Sequence, residues 1–378
     1  MKWIYEQFHD LADVCELVPV PEDIVHDPCF AFRVNDTPYK ERPNVRVVLK
    51  GAGAGKSVIF NAHADVVAAL ENQECSFEPK IKDGRMYGRG TCDDKAQIAV
   101  LWSICKAFKK LGIKPNGNVI LHFVIEEVTG GNGTLAMMRR GEKADCSIIL
   151  GPCSNNICTS VKGAVCFCGT FYGNSKNNGY PQVTVSALKL AEEAMRIIEE
   201  YHDELLAETI NDNPLFARHR DPMPVTFGQL TAGDWESSVP QKAVLKGVFG
   251  LLTTPKEQAM KEIKERIKTR GSEWLSTNFD MMYRYCHDAS IIDPGLPFVQ
   301  ALTDSYRLMN VQSKTDVMTA STDAWFYTNV LGIPGLMTGC GDLCNAYSCC
   351  ENVALEGLTM ESAVLTQFIK EWCGIRES

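Results

Sequence analysis

The sequence predicts an α/β fold that is interrupted by a separate α+β region. Short β-rich apolar runs alternate with helical patterns in the first part of the chain, which is typical of layered α/β domains. The texture changes between about residues 163 and 280, and 378 residues is long for a single core. We therefore expect a discontinuous α/β domain over 1–162 and 281–378, with an α+β domain inserted at 163–280.

Helices and strands of the first domain follow from two hydrophobic periods. Apolar residues fall at helical spacing between Asp93 and Gly112, just after a Gly-rich turn, and Asp93 and Asp94 are candidates for the N-cap. Two more helices are expected at 298–309 and from Leu358 to Trp372. Apolar β-rich runs predict strands at 45–50, 57–62, 118–125, 147–151 and 333–339.

The inserted region has its own order of elements. A strand-like run, AVCFCGTF, precedes a polar turn, GNSKNNGYP. The helices and strands expected after that turn are a helix from Val183 to Leu206, strands near 225–230 and 243–252, and a helix from Pro255 to Arg270. This order indicates an α+β domain.

The run GAGAGKS at 51–57 resembles a phosphate-binding loop. Counted from Gly51, it has three residues before Gly55 where such a loop needs four, and a strand-like run follows where the loop needs a helix N-terminus. A glycine hairpin turn is the better interpretation.

Composition and charge argue against several classes of function. The hydrophobic fraction of 45% and the charged fraction of 22% are those of a globular protein, and the formal net charge of −9 gives no electrostatic surface for nucleic acid. The N-terminal stretch lacks the order of a signal peptide, and no apolar run is long enough to span a membrane. We therefore expect a cytoplasmic protein with no nucleic-acid or membrane partner. Its 16 cysteines should be mostly reduced, and burial as small apolar side chains is the plain interpretation of many of them.

Polar residues follow the predicted strands where ligands bind in an open α/β sheet. His63 and Asp65 follow one strand, Glu126 and Glu127 follow another, and Asp93 lies at the start of a helix. Each motif alone has an ordinary explanation as a surface group or a cap, but together they form a ligand set suited to zinc or a similar metal. Asp65 could instead orient the imidazole of His63.

Four segments together resemble a known enzyme family. NAHADVV, CSFEPKIKDGRMYGRGTCDDK, VIEEVTGGNGT and STDAWFYTNVLGIPGLMTGCGD resemble the zinc-dependent family of acetylornithine deacetylase, succinyl-diaminopimelate desuccinylase, aminoacylase and related carboxypeptidases. The resemblance covers nearly the whole chain in order. It implies a mixed-sheet, zinc-exopeptidase-like catalytic domain and an inserted lid that forms homodimers.

The resemblance also implies roles for the polar cluster. Asp93 would bridge two zinc ions, with His63 on one and Glu127 on the other. Glu126 would be the general base that takes a proton from metal-bound water, and Asp65 would orient His63. The implied cofactor is one or two zinc ions or another divalent metal.

Two of the metal ligands that the resemblance implies are missing. Pro152 in GPCS stands where an acid is expected, next to Cys153, and Tyr347 in AYSCCE stands where a histidine is expected, next to Cys349 and Cys350. Tyr347 and the three cysteines are therefore candidate replacement ligands.

Substrate recognition in the lid also departs from the family pattern. The expected lid histidine is absent from Asn174 to Asn178. Ser237 stands where an asparagine is expected, and Gly250 stands where an arginine would bind a substrate carboxylate. These losses argue against ordinary N-acyl-amino-acid substrates.

Three interpretations of the site stay open. In the first, Cys153 with Cys349 or Cys350 supplies thiolates that rebuild a metal site. In the second, the three intact ligands hold a single metal. In the third, the chain is an inactive or repurposed relative that binds a ligand or partner. The intact carboxylates favour a metal-dependent hydrolase of an amide bond in a small molecule or short peptide, because clustered acids without a function would destabilise the fold.

Overall fold

The computed structural model describes residues 1–33, 38–71, 73, 76–174 and 184–376. The chain divides into two compact units. The first comprises Met1–Val161, Ser290–Met318 and Thr322–Ser378, and the second comprises Lys162–Ala289 and Thr319–Ser321. The expected boundary between residues 280 and 281 falls inside a strand, Phe279–His287, that pairs within the sheet of the second unit.

The first unit is built on a mixed sheet. Among the described residues the strand order is β1-β2-β7-β3-β8-β16-β9-β14, and β15 pairs with β9. The sheet is parallel from β7 through β3 and β8 to β16 and antiparallel at β1 and β2. The bounds are β1 Val14–Val18, β2 Asn44–Leu49, β3 Val58–His63, β7 Val119–Val124, β8 Cys146–Leu150, β9 Ile157–Val161, β14 Ser290–Ile291, β15 Thr315–Met318 and β16 Gly335–Thr338.

Smaller sheets and five α-helices complete the described part of this unit. The helices are α1 Lys2–Phe8, α2 Lys95–Leu111, α3 Asn132–Met138, α6 Pro297–Leu308 and α7 Leu355–Cys373. One small sheet has the order β17-β5-β4, and the other pairs β18 with β6. Their strands are β4 Lys80–Lys82, β5 Arg85–Tyr87, β6 Lys114–Pro115, β17 Asn352–Ala354 and β18 Ile375–Arg376.

Continuous apolar runs explain the centre of the large sheet. Every residue of β3, β7 and β8 is buried, as expected for parallel strands that are covered on both faces. Helices α2 and α7 pack together over these strands, and Phe60 meets Phe368 edge to face with ring centroids 6.3 Å apart. Helix α2 ends at Gly112, whose φ of 68° suits a glycine cap.

The glycine-rich run at 51–57 is not a hairpin, so that prediction is wrong. Strands β2 and β3, which flank it, do not pair with each other, because both pair with β7 between them. Its glycines instead allow close approach of another loop. A Cβ at Gly51 would lie 2.4 Å from the carbonyl oxygen of Asn116, and one at Gly55 would lie 2.0 Å from that of Cys373.

The second unit has the α+β arrangement expected from the sequence. Its antiparallel sheet has the order β11-β12-β10-β13, and helices α4 and α5 pack against each other and against the sheet. The bounds are β10 Gly163–Tyr172, α4 Ala187–Thr209, β11 Val225–Ala232, β12 Lys242–Leu251, α5 Lys256–Arg270 and β13 Phe279–His287. Throughout the described residues, no helix is long and apolar enough to cross a membrane.

A buried polar network ties β2 and β7 to the loop before β8. Arg46 Nε donates to Glu142 Oε2 at 2.6 Å, and His122 Nε2 lies 3.1 Å from the same oxygen. His122 Nδ1 in turn lies 2.8 Å from the hydroxyl of Tyr327. Burial opposes ionisation of Glu142, but hydrogen bonds from Arg46 and His122 outweigh it and lower the pKa of Glu142 to about 2.

This network predicts a pH-dependent loss of stability. The pKa of Glu142 lies below its ordinary value of 4.5, so its stabilisation is complete above about pH 4.5 and is lost as the pH falls toward about 2. We expect Glu142→Gln to lower the free energy of unfolding by about 2 kcal/mol at neutral pH, allowing for solvent screening. Urea unfolding at about pH 7 and about pH 3.5 measures the free energy of unfolding of both proteins. The difference between Glu142→Gln and the unsubstituted protein should be smaller at the lower pH. An equal difference at both pH values would contradict this assignment.

Candidate functional site

The polar residues predicted at the strand ends meet at one edge of the large sheet. Strands β3 and β7 are parallel neighbours, and His63 at the end of β3 pairs with Val124 at the end of β7. Glu127 follows β7, and Asp93 immediately precedes the start of α2. The carboxyl ends of two adjacent strands and the start of one helix therefore bring one imidazole and two carboxylates together.

The two ring nitrogens of His63 face different partners. Nδ1 lies 3.0 Å from the backbone oxygen of Asp65 and 3.4 Å from its carboxylate oxygen Oδ1. Nε2 lies 3.0 Å from Asp93 Oδ1 and 3.8 Å from Glu127 Oε2. Asp65 therefore contacts the ring nitrogen on the side away from Asp93, and its carboxylate also accepts hydrogen bonds from the backbone N–H groups of Glu127 and Val128.

Burial and charge shift the ionisation of this cluster. Burial disfavours a charged imidazole, but Glu127, Asp65 and Asp93 outweigh it and raise the pKa of His63 well above its usual value. Burial also opposes ionisation of Asp93, yet hydrogen bonds from His63 and Tyr347 hold the pKa of Asp93 below its usual value. Burial raises the pKa of Glu127 well above its usual range. The carboxylates of the cluster therefore favour the charged form of the imidazole, and the imidazole in turn favours ionisation of Asp93.

The side chain of Glu126 is held by three neighbouring donors. Its backbone has a φ of 60°, and its side chain is 6% exposed. Oε2 accepts hydrogen bonds from the Tyr39 hydroxyl at 2.9 Å and from Asn132 Nδ2 at 2.9 Å, and Oε1 is paired with Arg42. These three donors hold the carboxylate of Glu126 in place. Glu127 is the member of the pair that faces His63, with Oε2 3.8 Å from Nε2.

The missing ligands have no replacement in the arrangement of the described residues. Pro152 has no donor atom. The phenol of Tyr347 donates to Asp93, and burial and the charges of Asp93 and Glu127 raise the pKa of Tyr347, so the phenol keeps its proton. The Cys153 thiol is hydrogen-bonded to Cys158, and this bond together with burial raises its pKa well above the usual value.

The other two candidate thiols lie at the surface. Cys349 and Cys350 are both exposed, and their sulfur atoms are 3.7 Å apart. Within the described residues, no group of three or more His, Cys, Asp and Glu side chains is arranged to hold a metal ion. The donor set therefore does not fit the two-zinc centre that the resemblance implies.

The turn before α2 is held by an acid that the sequence interpretation missed. Glu351 is buried, and its Oε1 accepts the backbone N–H groups of Gly90, Cys92 and Asp93. Its Oε2 is paired with the buried guanidinium of Arg89. Glu351 is the last residue of the AYSCCE motif, in which Tyr347 stands where a histidine is expected. Its place in that motif was the available signal.

A second acid near Glu127 was also missed. Asp323 is 1% exposed, and its Oδ2 accepts a hydrogen bond from the hydroxyl of Thr134 at 2.5 Å. Burial raises the pKa of Asp323 to about 7. Asp323 lies in the STDAWF motif, where an acid directly before the apolar run AWF was the available signal.

The predicted lid positions lie in the second unit. Gly250 belongs to β12, and a Cβ there would lie 3.1 Å from the backbone of Met223. Ser237 Oγ accepts a hydrogen bond from Trp235 Nε1 at 2.7 Å. Most of the stretch in which the lid histidine was sought, residues 175–178, lies outside the described residues.

Comparisons with known proteins agree on one family. The family model for peptidase family M20/M25/M40 matches residues 59–371. The chain is 27% identical over 368 residues to the N-formyl-4-amino-5-aminomethyl-2-methylpyrimidine deformylase of Bacillus subtilis (strain 168), covering 89% of this chain and 84% of that protein.

Solved structures share the fold. A tripeptidase from Staphylococcus aureus superposes with a TM-score of 0.75 at 17% identity, covering 99% of this chain and 92% of that one. The M20 family metallo-carboxypeptidase Sso-CP2 from Sulfolobus solfataricus gives 0.76 at 15% identity, covering 98% and 93%. The expected α/β fold with a mixed central sheet and an inserted domain is confirmed.

Proposed function

Since this chain belongs to peptidase family M20/M25/M40 and is therefore a hydrolase of carbon–nitrogen bonds, we propose that it cleaves an amide bond at the cluster of His63, Asp93 and Glu127. The observation that carries this proposal is the convergence of Asp93 Oδ1 and Glu127 Oε2 on His63 Nε2, at 3.0 and 3.8 Å. An imidazole and two carboxyl groups at a sheet edge can supply both an acid and a base.

Each group has a distinct part in this proposal. Glu127 takes a proton from the attacking water, and burial raises the pKa of this carboxyl group above its usual range. His63 is held by Asp65, and the surrounding carboxylates favour its charged form, which stabilises the oxygen of the amide as negative charge develops on it. Asp93 fixes the imidazole through its other ring nitrogen.

The donor set limits the number of metal ions. Metal dependence is general in the family, yet here the two ligand positions that complete a two-ion centre are Pro152 and a protonated Tyr347. One zinc or other divalent ion at His63, Asp93 and Glu127 is the most that these residues could hold. An ion held there would need a neutral imidazole, so the roles proposed for a charged His63 apply to the protein without that ion.

We further propose that the substrate is a small N-acylated amine rather than an N-acyl amino acid. The Bacillus subtilis relative is named a deformylase of an N-formyl aminomethylpyrimidine, which supports a short acyl group on an uncharged amine. The expected carboxylate-binding arginine is Gly250, which supports a substrate without a free carboxylate. Short peptides are the second class to test, because the structural relatives are peptidases.

A substrate panel tests this proposal. N-formyl, N-acetyl and N-succinyl derivatives of simple amines and of amino acids, with di- and tripeptides, are incubated with the protein with and without added zinc or manganese, and released amine is measured. We expect hydrolysis of at least one N-acyl amine and its loss in His63→Ala. No turnover across the panel in either condition would contradict the proposal and favour a ligand-binding role.

We also propose a homodimer formed through the second unit. Strand β11 lies at one end of that unit's described sheet, and most of its residues are exposed. An exposed edge strand offers unpaired backbone groups to another chain. Light scattering should give about twice the mass of one chain, and a monomer at all concentrations would contradict the proposal.

We propose a cytoplasmic location on the basis of the thiols. All fifteen cysteines in the described part of the chain are unbridged. Such a number of reduced thiols fits a reducing compartment. Cell fractionation should place the protein with cytoplasmic markers, and recovery from a secreted fraction would contradict it.

A further inference from the structure

The adjacent cysteines Cys349 and Cys350 form the feature of this unit that the hydrolytic site leaves unexplained. Both thiols are exposed, and their sulfur atoms are 3.7 Å apart. Neither contributes to the hydrogen bonds or ion pairs described for His63, Asp93 and Glu127. Solvent can therefore deliver a ligand to these thiols without passing the hydrolytic cluster.

The distance between the two sulfur atoms matches that of two thiolates bound to one metal ion. Two thiolates that bind zinc at about 2.3 Å in tetrahedral geometry lie about 3.8 Å apart. Consecutive residues have Cα atoms about 3.8 Å apart, which is shorter than the roughly 4.4–6.8 Å usual for disulfides. The observed 3.7 Å between Cys349 and Cys350 therefore suits a shared metal ion better than a mutual disulfide.

The backbone on both sides of the pair is already fixed. Asn352 Nδ2 donates to the carbonyl oxygen of Cys350 at 2.7 Å, and Arg89 Nη2 donates to that of Tyr347 at 3.3 Å. The hydroxyl of Ser348 donates to the carbonyl oxygen of Asn345 at 2.8 Å. Because the loop is held before any ion arrives, little conformational freedom is lost on binding.

We propose that Cys349 and Cys350 form a surface chelate for one thiophilic d¹⁰ metal ion, with zinc as the probe ion, separate from the hydrolytic centre. Thiolate pairs favour soft and borderline ions over magnesium or calcium. Solvent completes the coordination, because both thiols are exposed. This inference does not rest on the proposed hydrolytic function.

Isothermal titration of the reduced full-length protein with zinc tests the proposal. The unsubstituted protein should bind one more zinc per chain than the variant that combines Cys349→Ser and Cys350→Ser. Each single serine variant should weaken zinc binding by more than about tenfold. A loss of about tenfold is what removal of an outer-sphere partner alone would cause. Cys29→Ser, which alters a half-buried thiol elsewhere in the unit, is the matched control and should bind as the unsubstituted protein does.

Two further measurements separate this site from the hydrolytic one. Zinc should protect Cys349 and Cys350 from alkylation, as shown by peptide mass spectrometry, and the protection should persist in His63→Ala. The combined serine variant should fold normally and hydrolyse its substrate at an unchanged rate, because both thiols are exposed and neither belongs to the cluster of His63, Asp93 and Glu127. Equal zinc binding by the unsubstituted protein and the combined variant, or loss of the protection in His63→Ala, would overturn the proposal.

Discussion

Glu127→Gln is expected to lower kcat for amide hydrolysis by about 10²- to 10⁴-fold, the range that a general base contributes. The amide of glutamine cannot accept a proton from water, whereas its size and shape are those of the glutamate. Glu127 is the only member of the glutamate pair that approaches His63, with Oε2 3.8 Å from Nε2. Steady-state kinetics on the best substrate of the panel would measure the effect.

A matched control separates chemistry from folding. Glu356→Gln makes the same change at an exposed position in the first turn of α7 and should leave kcat unchanged. Glu127→Gln should also keep the far-ultraviolet circular dichroism of the folded protein. A kcat within about threefold of the unsubstituted value would remove Glu127 from the role of base.

Glu126→Gln is expected to lower the free energy of unfolding by about 3 kcal/mol, because it breaks a mostly buried ion pair. The carboxylate of Glu126 accepts from Tyr39, Asn132 and Arg42. Glutamine would turn an NH₂ group toward these donors, so at least one hydrogen bond would be lost. The shift of the urea midpoint at an unchanged slope would measure the loss.

The same variant distinguishes the two glutamates. If Glu126 only supports the structure, Glu126→Gln should lower kcat by less than about tenfold at a temperature where the variant is folded. Tyr39→Phe removes one of the three donors to that carboxylate and should lower stability by about 1 kcal/mol in the same sense. A fall in kcat of about 10²-fold or more with unchanged stability would instead restore Glu126 as the general base.

Strong local patterns made much of the fold predictable from the sequence. Each end of the central strands β3, β7 and β8 lies within one residue of its expected position, because continuous apolar runs mark buried strands. The hairpin at 51–57 was wrong because local glycine content does not reveal that β7 lies between the flanking strands. The strand Phe279–His287, which runs across the expected boundary between residues 280 and 281, has no clean alternation of buried and exposed residues.

The site was predictable in its membership but not in the direction of each side chain. His63, Asp93 and Glu127 meet because adjacent strand ends and a helix start lie at one sheet edge. The pairing of Glu126 with Arg42 joins residues 84 positions apart, and no spacing rule in the sequence connects them. Likewise, the position of Cys153 next to a missing ligand did not show that its thiol is hydrogen-bonded to Cys158.

The most direct test of the proposed centre is the metal content of active protein in which Cys349→Ser and Cys350→Ser remove the surface thiols. The variant is purified anaerobically, shown to hydrolyse a substrate from the panel, and analysed by inductively coupled plasma mass spectrometry. The arrangement of His63, Asp93 and Glu127, with Pro152 and Tyr347 in place of further ligands, predicts no more than one zinc or other divalent ion per chain. Two ions per chain, with one lost in His63→Ala, would contradict it and would show that a complete two-ion centre assembles in solution.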